Sequence, residues 1–146
     1  MVCFLDTNVL VYAVDRTDPG KCARANELLM RVRDDSLAIL SSQVLGEFFV
    51  AVTKAKKNRQ MLDHGVAQEI VSEFAKLPTI SVDGSLVLAA MERTQWNRIN
   101  YWDALIVEAA LRGGATVLYS EDLQHGQTFD SLRVENPFLD VAGVAE

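Results

Sequence analysis

The chain is poor in cysteine, proline and glycine, with 2 Cys, 3 Pro and 8 Gly in 146 residues. Two cysteines cannot build a disulfide scaffold, and Cys3 lies in an apolar run where a reduced thiol packs well. So little Pro and Gly excludes a collagen-like or linker-rich chain. Basic residues are also in deficit, with 14 Lys+Arg against 20 Asp+Glu and a net charge of -6. Bulk positive charge therefore cannot be what grips a nucleic acid. Only 2 His are present, and neither they nor the cysteines have zinc-ligand spacing. No apolar run is long enough to span a bilayer. The start, MVCFLD, lacks the basic and long apolar parts of a signal peptide, so the expected compartment is the cytosol.

What is present is apolar surface, at 49% hydrophobic residues. That is enough to offset the entropy of ordering one domain, expected to span residues 1–146. Val2–Leu5, Leu37–Leu40, Thr79–Val82 and Ala115–Tyr119 read as short buried strands, with a further short strand at Leu132–Val134. Helical patterns lie between them. A helix starts near Asn8 with Thr7 or Asn8 as its cap, and another runs from Lys21 to Arg33. Ser41 or Ser42 caps a helix expected to reach about Lys56, and Asp63 caps one from Leu62 to Lys76. The last two end near Trp96 and, after Tyr101–Arg112, at Gly113-Gly114. Strands alternating with helices predict an α/β fold with a mainly parallel sheet covered on both faces. Sites in such sheets form at the carboxyl ends of the strands.

Acidic residues cluster there. Asp6 follows the first strand, and Glu121 and Asp122 follow the strand ATVLYS. A turn or helix cap is the ordinary structural alternative for each. At 100° per residue, Asp103 falls on the side of Ile106, Val107, Ala110 and Leu111, facing the core, whereas Glu108 and Arg112 point the other way. Glu47 borders the apolar face formed by Val44, Leu45, Phe48, Phe49 and Val52, with Gln43 and Lys54 on its own side. An exposed Glu–Lys pair would also explain it. Brought to one sheet edge, these carboxylates repel and call for a hard, oxygen-liking divalent cation, Mg²⁺ or Mn²⁺. Such an ion can prepare a water for attack on a phosphodiester. No P-loop and no GxGxxG after a strand is present.

Lys54, Lys56, Lys57 and Arg59 form a basic run beyond the Glu47 helix, a candidate RNA contact whose plain alternative is a solvated helix end. Arg93 and Arg98 flank Trp96, close to Trp102. Stacking on RNA bases would use such residues, but a place in the core or a dimer interface is the expectation for both tryptophans.

The segments FLDTNVLVYAVD, SSQVLGEFF, YWDALIVEAA and LYSEDLQHG, in this order, resemble the PIN domain family, and most closely its small VapC-like toxins of toxin–antitoxin pairs. The closing VENPF is similar to the end of many such chains. The resemblance implies a three-layer α/β/α fold and a Mg²⁺- or Mn²⁺-dependent ribonuclease. It places the four metal-binding and catalytic acids on Asp6, Glu47, Asp103 and Asp122, with Asn8, Thr7, Ser42 and Glu121 in supporting positions. Adjacent Glu121 and Asp122 leave open which one faces the metal, and Asp122 is favoured. The family also implies an RNA substrate, a cognate antitoxin and a homodimer. Competing readings are a PIN-like module that binds partners without catalysis and a receiver-like signalling domain. The latter lacks support, because no second acid adjoins Asp6 and LAIL ends in Ser41-Ser42. A DxD-type phosphatase lacks its second Asp in Asp6-Thr7-Asn8.

Overall fold

The computed structural model describes residues 1–35, 37–55 and 60–141. The elements are β1 (Val2–Leu5), α1 (Thr7–Tyr12), α2 (Pro19–Asp35), β2 (Leu37–Ser41), α3 (Ser42–Thr53) and α4 (His64–Phe74), followed by β3 (Thr79–Ile80), α5 (Gly84–Asn97), α6 (Tyr101–Arg112), β4 (Val117–Tyr119), β5 (Thr128–Phe129) and β6 (Leu132–Glu135). They form a six-stranded sheet in the order β3-β2-β1-β4-β6-β5, parallel except for the β5–β6 pair.

The topology explains the layers. From β1 the chain moves outward to β2 and then β3, and both crossovers run through helices α1 to α4. From β3 it returns past β1 to β4 through α5 and α6. Right-handed crossovers in opposite directions place their helices on opposite faces. The packing agrees, since α1 meets α2 and α3, α3 meets α4, and α5 pairs with α6. Strands covered on both faces can be apolar throughout. Cys3, Phe4 and Leu5 of β1 and Val117, Leu118 and Tyr119 of β4 are accordingly all buried.

Local chemistry sets the element ends. Asp6 accepts from the Thr7 amide as the cap of α1, so neither Thr7 nor Asn8 is the cap. Ser41 caps α3 and Asp63 caps α4, as the sequence indicates. Helix α3 stops at Thr53, where Lys54 turns to extended backbone, short of the expected Lys56. Strand β3 covers only Thr79–Ile80 rather than reaching Val82. At Gly113 the end of α6 comes so close to the sheet that an added Cβ would lie 2.2 Å from Ile39 Cδ1.

The α5–α6 contact carries a charge network centred on a buried arginine. Arg93 is 7% exposed and donates to Glu108 at 2.6 Å and to Asp130 at 3.1 Å. Glu108 therefore faces α5 rather than solvent. Trp96 and Trp102 are 67% and 62% exposed, so of the two placements expected for them the core is excluded and the dimer interface stays open.

Candidate active site at the carboxyl ends of β1 and β4

Strand β1 is where the sheet's direction of winding reverses, and its partner on the return side is β4. Crevices at such switch points are where α/β sheets place their sites. The register pairs Leu5 with Tyr119, so the next residues, Asp6 and Ser120, emerge side by side. The Asp6 amide closes the ladder by donating to the Tyr119 carbonyl at 3.0 Å.

Asp6 is 4% exposed. The Ser120 hydroxyl, itself fully buried, donates to its Oδ2 at 2.7 Å, and the Thr7 amide donates to its Oδ1 at 2.7 Å. Burial, aided by the nearby charges of Asp122 and Glu47, pushes the Asp6 carboxyl up to about 7, against the two hydrogen bonds. The Ser120 oxygen also accepts from the Asp122 amide at 3.1 Å, which holds the start of the next loop against Asp6.

Glu47 projects from the exposed side of α3, which packs against α1. Thr7 Oγ1 donates to its Oε1 at 2.7 Å and Gln43 Nε2 to its Oε2 at 3.1 Å. No Lys or Arg among the described residues pairs with it, so the simple Glu–Lys explanation fails.

Asp103 lies half-buried in the first turn of α6. Asn100 is the cap of that helix. Its Oδ1 accepts from the Asp103 amide and its Nδ2 donates to Asp103 Oδ2, both at 2.9 Å. Asp103 is thus oriented by the cap rather than serving as one. Burial raises its carboxyl above the ordinary range, and the charges of Asp122 and Glu47 add to this.

The adjacent acids part company. Glu121 is ion-paired with Lys21 and accepts from Tyr12 Oη at 3.0 Å, and its amide donates to Asn8 Oδ1 at 3.3 Å. Asp122 makes no such pair among the described residues and acts on both Asp6 and Asp103. Asp122 and Glu47 each lie within electrostatic reach of both Asp6 and Asp103. Ser42 spends its hydroxyl on the Val82 amide, at 3.1 Å. Lys54 is exposed beyond the end of α3 and shares a shallow depression with Gly46, Glu47, Val50 and Ala51. Lys56, Lys57 and Arg59 lie outside the described residues.

The donor set is all oxygen, which fits a hard divalent cation, and the charges of Asp122 and Glu47, which add to the effect of burial on Asp6 and Asp103, are a repulsion such an ion would relieve. Among the described residues no group of three or more His, Cys, Asp or Glu side chains is placed to hold a metal ion. An open arrangement is what like charges adopt when nothing bridges them.

A model of the PIN domain matches residues 3–128. The chain belongs to the PIN domain family. No curated protein matches it. Among solved structures, this PIN domain is similar to VapBC2 from Rickettsia felis bound to a DNA fragment from its promoter, at 24% identity and a TM-score of 0.65 over 93% of this chain and 98% of that one. A toxin–antitoxin complex from Klebsiella pneumoniae matches at 15% identity and a TM-score of 0.68, over 92% and 97%. VapC20 from Mycobacterium tuberculosis, a toxin that cleaves the sarcin-ricin loop, matches at 16% identity and a TM-score of 0.61, over 82% and 89%. At these identities the likeness is one of fold.

Three residues at this edge were not singled out as site residues in the sequence. Ser120 passes for a turn hydroxyl until the β1–β4 register sets it beside Asp6. Asn100 could have been found as the polar residue three positions before Asp103, where a helix cap belongs. Gln43, one turn before Glu47, was noted only as its neighbour.

Proposed function

We propose that this PIN domain is a Mg²⁺- or Mn²⁺-dependent endoribonuclease and the toxin of a toxin–antitoxin pair acting in the cytoplasm. The observation that carries this reading is the state of Asp6. It is a buried carboxyl at a strand end, held by two donors, opposed by the charges of Asp122 and Glu47, and paired with no Lys or Arg among the described residues. A structural Asp would ordinarily have a cation beside it or solvent around it.

In this reading Asp6, Asp103 and Asp122 hold the ion, with Glu47 at its margin. A bound divalent cation supplies activation of a water and neutralisation of phosphate charge. Ser120 and the Thr7 amide aim the Asp6 oxygens, while Thr7 Oγ1 and Gln43 aim those of Glu47. Asn8 anchors the Glu121 backbone, and Lys21 draws the Glu121 carboxylate aside, which leaves Asp122 as the acid for the site. Glu121 is then a supporting residue. Asp6 must lose its proton to act, so activity rises with pH through about 7 in the absence of excess cation.

The substrate is RNA, with Lys54 and the basic run after it as a contact for the phosphates. The partner is an antitoxin, and the active form is a homodimer. The similar solved structures include toxin–antitoxin complexes and a toxin that cleaves the sarcin-ricin loop, which supports this choice over other nucleases. Among the described residues no helix is long and apolar enough to cross a membrane.

The test is cleavage of total RNA by the purified protein with Mg²⁺, with Mn²⁺ and with EDTA, beside Asp103→Asn and a DNA control. RNA should be cut only with a divalent cation and only by the parent. Cutting that persists in EDTA would contradict the mechanism. A folded protein that cuts nothing under any condition would favour a PIN module that only binds partners.

A further inference from the structure

Glu47 is exposed, yet both of its carboxylate oxygens are held. One of the two holders does more than hold it. Gln43 Nε2 donates to Glu47 Oε2 at 3.1 Å and also to the backbone carbonyl of Trp102 at 3.3 Å. Trp102 lies in the first turn of α6, one residue before Asp103. The two hydrogens of a single amide nitrogen therefore span the gap between the two acid-bearing helices on the far sides of the site.

Two acceptors on one nitrogen settle which end of the amide is which. The other end, Oε1, is buried and meets no donor among the described residues. A buried acceptor without a donor is uncommon. Here it lies one amide width from the nitrogen that grips Glu47. A side chain at this position must donate twice without bringing positive charge. Lys or Arg would neutralise Glu47 and compete with a cation, and a neutral amide does not.

We propose that Gln43 is a positioning residue for the carboxylate site, setting Glu47 and the first turn of α6 at one spacing through the two hydrogens of its Nε2. This rests on the reading of the site as a divalent-cation site. Gln43 touches neither the substrate nor the ion directly, so its effect runs through Glu47.

The test is Mn²⁺ affinity, read by electron paramagnetic resonance, of the parent, Gln43→Met, Glu47→Gln and the double variant. Thermal unfolding of each metal-free protein is measured alongside. Gln43→Met should weaken Mn²⁺ about tenfold, the usual effect of losing a group that orients a ligand. Its metal-free unfolding temperature should stay close to the parent's. In the Glu47→Gln background the same change should cost nothing further, because the two residues act as one unit. Gln43→Leu serves as a second variant if Gln43→Met folds poorly. Parent-like Mn²⁺ affinity in Gln43→Met, or an equal loss with and without Glu47, would overturn the inference and leave the site reading standing. A parent that binds no Mn²⁺ would overturn both.

Discussion

Replacing Asp6 by Asn should stabilise the metal-free protein at alkaline pH and not at acid pH. Asp6 is buried, and its carboxyl is pushed from 3.8 to about 7. The native state therefore binds a proton more tightly than the unfolded chain. Below pH 3.8 both states hold that proton and Asp6 contributes no difference. As pH rises towards 7 the unfolded chain gives it up first, so stability falls, and above 7 the penalty is complete. The interval from 3.8 to about 7 corresponds to roughly 4 kcal/mol. Asn cannot ionise and escapes this penalty. It also loses part of the hydrogen bonding, because Ser120 Oγ donates to Oδ2 while accepting from the Asp122 amide, and an amide nitrogen there leaves the hydroxyl hydrogen without an acceptor. That costs about 1 kcal/mol. The net expectation is a variant about 1–3 kcal/mol more stable than the parent at pH 8 and slightly less stable at pH 4. Urea unfolding in EDTA at the two pH values measures the difference. Excess Mg²⁺ at pH 8 should raise the parent and leave the variant nearly unchanged. A variant less stable than the parent at pH 8, or a difference that ignores pH, would refute the electrostatic account of Asp6.

Glu121→Gln should keep RNA cleavage and lower the unfolding temperature through loss of its pair with Lys21, whereas Asp122→Asn should abolish cleavage. If instead Glu121→Gln abolished cleavage, the assignment of the two acids would be reversed. Ser120→Ala removes a donor that holds the Asp6 carboxyl down, so the acidic limb of the cleavage–pH profile should move to higher pH. A limb that stays in place would show that Ser120 does not act on Asp6. Arg93→Met leaves the partly buried Glu108 without its partner and should cost about 2 kcal/mol in urea unfolding. A loss well below that would mean that water reaches the α5–α6 seam.

The acids were legible in the sequence because the backbone rules that place them are local. Asp6 directly follows a run of apolar strand residues, and the helical wheel turns Asp103 away from water. The preference for Asp122 over Glu121 as the acid of the proposed site has a structural argument that the sequence hid. It lies in Lys21, 100 residues away, together with Tyr12. Ser120 and Gln43 were hidden in the same way. Each becomes informative only through a contact with a distant element, 114 residues away for Ser120 with Asp6 and 59 for Gln43 with Trp102. Strand β5 escaped because two residues carry no periodicity, and it exists through antiparallel pairing with β6. The exposure of Trp96 and Trp102 runs against their apolar character, which burial patterns alone could not show. Glu108 was read as facing away from the core because the wheel shows direction but not the buried Arg93 on the neighbouring helix.

The central claim is that the carboxylates at the ends of β1 and β4 gather around a cation. A crystal grown with Mn²⁺ and recorded at a wavelength where manganese scatters anomalously tests it most directly. The account predicts a manganese peak at ligand distance from Asp6 and Asp103, with Asp122 turned towards it and Glu121 still on Lys21. A map with no peak at that edge, and Asp6 still protonated and bound only to Ser120 and the Thr7 amide at pH 8, would contradict it.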